Sequence, residues 1–205
     1  MHKLYIVGIG PGNYEQMTIR AAEVLKTCDV IVGYTVYIDL IREHFGEKEF
    51  LTTPMRQEVK RCEMAFETAM EGKTVAMICS GDAGVYGMSG LLYEMGARYP
   101  EVALEVIPGV TAATAGAAVL GAPLMHDFCL ISLSDLLTRG RRSKDGCGLQ
   151  RRQILSFVFT TLRAKREKII CGGPVRFCWS IRVRTLSAEL WSILEEPGNR
   201  RRFCR

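Results

Sequence analysis

Read as apolar and polar positions, the first two thirds of the chain alternate between short unbroken apolar runs and longer stretches with helical spacing. Lys3-Leu4-Tyr5-Ile6-Val7-Gly8 is such a run, ending in glycine, which suits a strand buried on both faces of a parallel sheet. After the turn Gly8-Ile9-Gly10-Pro11-Gly12-Asn13, residues Met17, Ala21, Val24, Leu25 and Cys28 fall on one helical face. The same reading predicts a strand over 29–33, a helix over 36–45 and a strand over 73–79. Between the last two it predicts a helix over 57–70 whose Val59, Cys62, Phe66 and Met70 share a stripe. A second loop, Ser80-Gly81-Asp82-Ala83-Gly84, leads into a predicted helix over 85–95 and a strand over 103–107. A third loop at Pro108-Gly109 opens a small-residue helix over 111–120. Strands alternating with helices predict an α/β fold, a parallel-rich sheet flanked by helices.

In such sheets ligands bind beyond the carboxyl ends of the strands. The loops at 8–13, 80–84 and 108–112 all leave strands at that end, so one candidate site is expected from three separate places in the chain. Glycines at 8, 10 and 12 allow close backbone approach and positive φ. The spacing G-x-G-P-G is not the dinucleotide fingerprint, and no acid follows the second strand at Ile31-Val32-Gly33-Tyr34, so nicotinamide dinucleotides are disfavoured. No G-x-x-x-x-G-K-[ST] run exists either. Taken alone, Ser80 and Asp82 read equally well as helix N-caps, and Thr111 as the cap of an alanine-rich helix. His2, His44 and His126 are isolated, so neither a metal site nor a Ser-His-Asp set is expected, and no catalytic residue is assigned.

Composition changes the picture in one respect. The 205 residues are 48% hydrophobic and 24% charged, an ordinary globular balance with net charge +5. That sum hides two unlike parts: residues 1–138 carry 10 Lys and Arg against 17 acids, net −7, whereas 139–205 carry 17 against 5, net +12. A break this sharp marks a boundary. The apolar runs at 102–107 and 110–124 fall short of the roughly 20 residues of a membrane span. Met1-His2-Lys3-Leu4 enters the first strand without an apolar leader core, and a cytoplasmic location is expected. Eight cysteines include no Cys-x-x-Cys pair, and Cys28, Cys62, Cys79 and Cys129 lie in apolar patterns, where free buried thiols are expected.

Three longer stretches carry a resemblance. They are Val7 to Asn13 with Glu15-Gln16-Met17-Thr18; Asp29 to Tyr34 with Tyr37 to Ile41; and Ser80-Gly81-Asp82-Ala83-Gly84-Val85-Tyr86-Gly87-Met88 with Ile107-Pro108-Gly109-Val110-Thr111-Ala112. Together with His126-Asp127-Phe128 and Leu133 to Thr138, they resemble the tetrapyrrole methyltransferases of the cobalamin pathway, most of all those acting at C17 of precorrin-3B. The resemblance spans residues 1 to about 138. It implies S-adenosyl-L-methionine as cofactor, contacted at Gly10, Pro11, Gly12, Ser80, Gly81, Asp82, Val85, Thr111 and Ala112, mostly through main chain. It also implies a tetrapyrrole substrate, precorrin-3B or cobalt-factor III, methylated at C17 with ring contraction, and a homodimer. Positioning is the main task of such a displacement, which is consistent with the lack of a conspicuous acid/base pair.

The domains expected are a cofactor-binding α/β domain over 1–121, a linker with the first strand of a second domain over 122–138, and a basic tail over 139–205 unlike the family. A one-base deletion near the codons of Thr138 and Arg139 would explain the tail: with only first letters free, re-read codons from Arg139 onward can yield WEKIERRLR, and those of 159–172 YNPSSKKRKDYLR. A second α/β domain would then be incomplete or lost, and the chain a non-catalytic cofactor-binding fragment. The pairs Arg141-Arg142 and Arg151-Arg152 and the triplet at 200–202 also admit phosphate contacts, but no zinc spacing or nucleic-acid-binding motif accompanies them.

Overall fold

The computed structural model describes residues 2–122, 124–125, 128–132, 156–160 and 178–181. The chain divides into two compact units, residues 1–111 and 112–205. The first unit begins with β1 (His2–Gly8), a short 3-10 turn at Tyr14–Gln16, α1 (Ile19–Thr27), β2 (Val30–Tyr34) and α2 (Thr35–Phe45). It continues with β3 (Glu49–Thr53), α3 (Glu58–Met70), β4 (Val75–Cys79), α4 (Ser89–Gly96) and β5 (Val102–Ile107). Its sheet has the order β3-β2-β4-β1-β5, and every pairing is parallel.

Strand alternation divides the core between the two sheet faces. Leu4, Ile6, Val30, Val32, Val75 and Met77 pack with Cys62, Ala65, Phe66 and Ala69 of α3 and with Leu92 and Met95 of α4. Val7, Ile31, Ala76, Ile78 and Ile107 pack with Ala21, Val24 and Leu25 of α1 and with Ile38, Ile41 and Phe45 of α2. Strands covered on both faces must be apolar at nearly every position, which is why β1, β2 and β4 read as unbroken runs.

Three expectations need correction. β3 was not expected: it is an edge strand whose Glu49 and Thr52 are exposed, so Glu49-Phe50-Leu51-Thr52-Thr53 lacks the continuous apolar signal. The helix expected from residue 85 begins at Ser89, because the chain turns tightly over 82–88, with Tyr86 at φ 56°. The stripe of α3 runs through Cys62, Ala65, Phe66 and Ala69, while Val59 is 52% and Met70 39% exposed. That i, i+3, i+4, i+7 set is the one that faces the sheet.

The second unit opens with α5 (Ala112–Val119). β6 (Phe128–Ser132), β7 (Ser156–Thr160) and β8 (Cys178–Ile181) form a three-stranded parallel sheet in that order. β7 and β8 lie in the basic segment, for which the sequence predicted no elements. His126, Asp127, the segment 133–155 and the arginine pairs and triplet lie outside the described residues. Cys28, Cys62 and Cys79 are free and buried, and the side chain of Cys129 lies outside the description. Among the described residues no helix is long and apolar enough to cross a membrane, and no cluster of three metal-ligating side chains forms.

Candidate functional site

β1 is flanked by β4 on one side and β5 on the other, so the three loops that follow these strands emerge side by side. They meet main chain to main chain. Ile9 N–H donates to the Cys79 carbonyl at 2.9 Å, and Gly10 and Gly81 exchange two hydrogen bonds, at 3.0 and 2.8 Å, in an isolated antiparallel bridge. A Cβ on Gly8 would stand 2.7 Å from the Gly81 carbonyl oxygen and 2.8 Å from Gly109 N. One on Gly109 would stand 2.2 Å from that same oxygen. Glycine is therefore required at 8 and 109 by backbone contact, at Gly10 by contact with the Gln16 carbonyl and a left-handed φ of 72°, and at Gly81 by a left-handed φ of 69°.

Side chains tie the junction together. Asp82 Oδ2 accepts the N–H of Gly109 at 2.9 Å, and its Oδ1 accepts those of Gly84 at 2.8 Å and Val85 at 3.1 Å. Asp82 thus satisfies donors of a turn and of a neighbouring loop; with α4 starting at Ser89, it is not a helix N-cap. Thr18 does cap a helix: its Oγ1 accepts from Ala21 N at 3.2 Å, and its hydroxyl donates to the Pro108 carbonyl at 3.1 Å, joining α1 to the loop after β5.

The fold brings Gly10, Pro11, Gly12, Ser80, Gly81, Asp82 and Val85 into connected loops beside Pro108 and Gly109, two residues before Thr111. Pro11 and Gly81 are buried, whereas Gly12, Ser80, Asp82, Val85 and Thr111 are half-buried. Ala112 is the first residue of α5 and belongs to the second unit. No Lys or Arg occurs at 8–13, 80–85 or 108–111, and Asp82 is the only charged residue there. A phosphorylated ligand would find no counter-charge on these loops. What the loops offer is close backbone approach and a single carboxylate.

A second polar group sits at the carboxyl ends of β2 and β3. Arg61 of α3 is only 5% exposed; its Nε donates to Thr53 Oγ1 at 2.9 Å, its Nη2 donates to the Pro54 carbonyl at 3.2 Å, and its guanidinium lies 5.8 Å from the centre of the Tyr34 ring. Burial pushes the Tyr37 hydroxyl up to about 12, and Tyr34 meets Tyr37 edge to face at 5.2 Å. Neither the capping and bridging role of Thr18, which lies in a stretch that carries the resemblance, nor the burial of Arg61 is expected from sequence. Thr18 carried a signal, a threonine just ahead of an apolar-periodic segment, whereas Lys60-Arg61 reads as a solvated pair on a helix.

Comparison with known proteins places these features in a family context. The description Tetrapyrrole (Corrin/Porphyrin) Methylases matches residues 3–169, which extends past Thr138. A Salmonella typhimurium protein bearing the name "Probable cobalt-factor III C(17)-methyltransferase" is 49% identical over 136 residues, 66% of this chain and 56% of its own length. The chain therefore spans about half the length of that relative. A crystal structure of the methyltransferase CobJ superposes with TM-score 0.73 at 34% identity, covering 80% of this chain and 70% of that one. A uroporphyrin-III C-methyltransferase from Thermus thermophilus, solved with S-adenosylhomocysteine, has TM-score 0.52 at 27% identity, covering 63% of this chain and 58% of its own.

Proposed function

Since the chain belongs to the tetrapyrrole (corrin/porphyrin) methylase family, we propose that its three converging loops bind S-adenosyl-L-methionine for methylation of C17 of precorrin-3B or cobalt-factor III, with ring contraction. The observation that carries this reading is the backbone contact among Gly8, Gly81 and Gly109, which brings the three loops together main chain to main chain. Bound there, the cofactor would supply an electrophilic methyl group on a sulfonium. Gly10, Pro11, Gly12, Ser80, Gly81, Asp82, Val85, Thr111 and Ala112 are the residues proposed to hold it. The protein's part is to orient the donor and exclude water, with Asp82 keeping two of the loops in register. The likeness to the Salmonella protein supports the choice of substrate. The reading includes a cytoplasmic homodimer acting on a free tetrapyrrole.

A second reading, a cofactor-binding fragment without turnover, is favoured by the charge inversion after residue 138. On this reading residues 1–121 form the cofactor domain, 122–138 begin the second domain, and 139–205 derive from a shifted reading frame. Sequencing the gene across the codons of Thr138 and Arg139 tests the shift; an intact frame encoding the same tail in related alleles rejects it. Calorimetric titration with S-adenosylhomocysteine and a methylation assay on precorrin-3B separate the two. Binding with turnover supports the enzyme, binding alone the fragment, and no binding rejects both.

A further inference from the structure

Arg61 is a buried cation with no anionic partner among the described residues. It lies in the first turn of α3 and reaches the final rung of β2 and β3, where Tyr34 pairs with Thr53. Its Nε and Nη2 each donate once, to Thr53 Oγ1 and the Pro54 carbonyl, and the Tyr34 ring centre lies 5.8 Å away. No ion pair among the described residues involves it, although it is only 5% exposed. Both hydrogens of Nη1 and one of Nη2 are thus left without an acceptor among the described residues. A buried guanidinium in this state is costly twice over, for its uncompensated charge and for its unmade hydrogen bonds. The ring and the two bonds offset part of that cost, and a carboxylate would meet both needs.

Strand order brings this group close to the proposed cofactor loops. β2 adjoins β4, and the Arg61 charge acts on the thiol of Cys79, the residue just before the Ser80 loop. One to two strand spacings, roughly 5–10 Å, therefore separate Arg61 from that loop. The stretches 8–13, 80–88 and 108–111 contain no Lys or Arg. Arg20, at the start of α1, is held by Glu23 and Glu105, whereas Arg56, exposed on the turn after Pro54, enters no ion pair among the described residues. Unpaired positive charge at this end of the sheet is gathered on its β2–β3 side.

We propose that Arg61, assisted by Arg56, binds a side-chain carboxylate of the tetrapyrrole, in a subsite separate from the loops that clasp the cofactor. The inference rests on the function proposed above and names the residues that hold its substrate. Macrocycles of this class carry acetate and propionate side chains, and a guanidinium with free donors on both terminal nitrogens takes a carboxylate through two parallel bonds, which an ammonium cannot copy.

The test uses the full 205-residue chain with Arg61→Met, Arg61→Lys and Arg56→Asn. Three probes are titrated: uroporphyrin III, which carries the carboxylates; tetrakis(N-methylpyridyl)porphyrin, a macrocycle without them; and S-adenosylhomocysteine. Arg61→Met is expected to weaken uroporphyrin III binding about ten-fold or more, and Arg61→Lys and Arg56→Asn about three-fold each. S-adenosylhomocysteine should stay within about two-fold throughout, since these residues lie off its loops. The pyridyl porphyrin should bind the wild type more weakly than uroporphyrin III and lose nothing in Arg61→Met. Equal weakening of both porphyrins by Arg61→Met marks a purely structural role and overturns the proposal. Unchanged uroporphyrin affinity in that variant, or failure of the wild type to bind uroporphyrin III, overturns it too. So does a larger loss for S-adenosylhomocysteine than for uroporphyrin III, which assigns Arg61 to the cofactor's own carboxylate. If Arg61→Met does not fold, Arg61→Lys decides by the same comparison. Wild-type binding of S-adenosylhomocysteine beside any of these failures leaves the cofactor reading intact. Absence of that binding rejects the cofactor reading, and the two porphyrins then still decide Arg61.

Discussion

Asp82 and Gly109 are 27 residues apart in sequence and joined by a 2.9 Å hydrogen bond from the glycine N–H to the carboxylate. The other carboxylate oxygen accepts two N–H groups of its own turn, so one side chain satisfies three backbone donors across two loops. Asp82→Ala strands these donors in a half-buried setting and is expected to destabilise the first unit by about 2 kcal/mol. Asp82→Asn keeps one acceptor but turns an amide toward one of the N–H groups, and should recover only part of the loss. Urea denaturation of the three proteins measures this.

Gly109→Ala drives a methyl into the Gly81 carbonyl, with 2.2 Å between the atoms before relaxation. Backbone on both sides leaves little room to yield, so a loss of about 3 kcal/mol is expected, together with loss of S-adenosylhomocysteine binding. Gly90→Ala is the control. Gly90 lies in α4 with open space where a Cβ would go, so alanine there should stabilise by about 0.5–1 kcal/mol. Equal effects of the two substitutions in thermal melts would contradict the packing described for the loop junction.

Thr18→Val removes both the cap of α1 and the hydroxyl bonded to Pro108. A cost of about 1 kcal/mol is expected, with Thr18→Ser restoring most of it. Weaker S-adenosylhomocysteine binding by Thr18→Val but not by Thr18→Ser would trace the effect to the loop after β5.

Burial pushes the thiols of Cys28 and Cys79 up to about 11 and that of Cys62 to about 12. The folded chain therefore keeps protons that the unfolded chain releases near pH 8.5. Above that pH the unfolded state binds fewer protons, so stability is intact at pH 7 and falls as pH rises from about 9 toward 11–12. Melting temperatures across this range should decline. Residue-resolved thiol labelling at pH 8 should modify these three positions only in denaturant.

The central strands were legible because burial on both faces leaves a nearly unbroken apolar run, as at Val75–Cys79. β3 was not, since an edge strand with exposed Glu49 and Thr52 need not be apolar. The convergence of the glycine loops followed from the rule that ligands meet the carboxyl ends of parallel strands. The role of Asp82 did not, because its partner Gly109 becomes a neighbour only through strand order, which local pattern does not carry. Arg61 escaped for the opposite reason: a charged helical residue is ordinarily solvated, and only the arrival of Thr53 and Pro54 beside it accounts for its burial.

The interior placement of β1 sets the order in which the molecule can be built. Leu4 pairs with Val75 on one side and with Leu104 on the other, so this strand waits for residues made some 70 and 100 positions later. Contacts this distant close slowly, because loop entropy must be overcome before they contribute. The glycine bend after β1 gains Gly81 as a neighbour once β4 pairs, and Gly109 only when β5 docks. A compound clasped across all three bends needs β4 and β5 both in place, so its affinity and the unit's resistance to unfolding should rise and fall together.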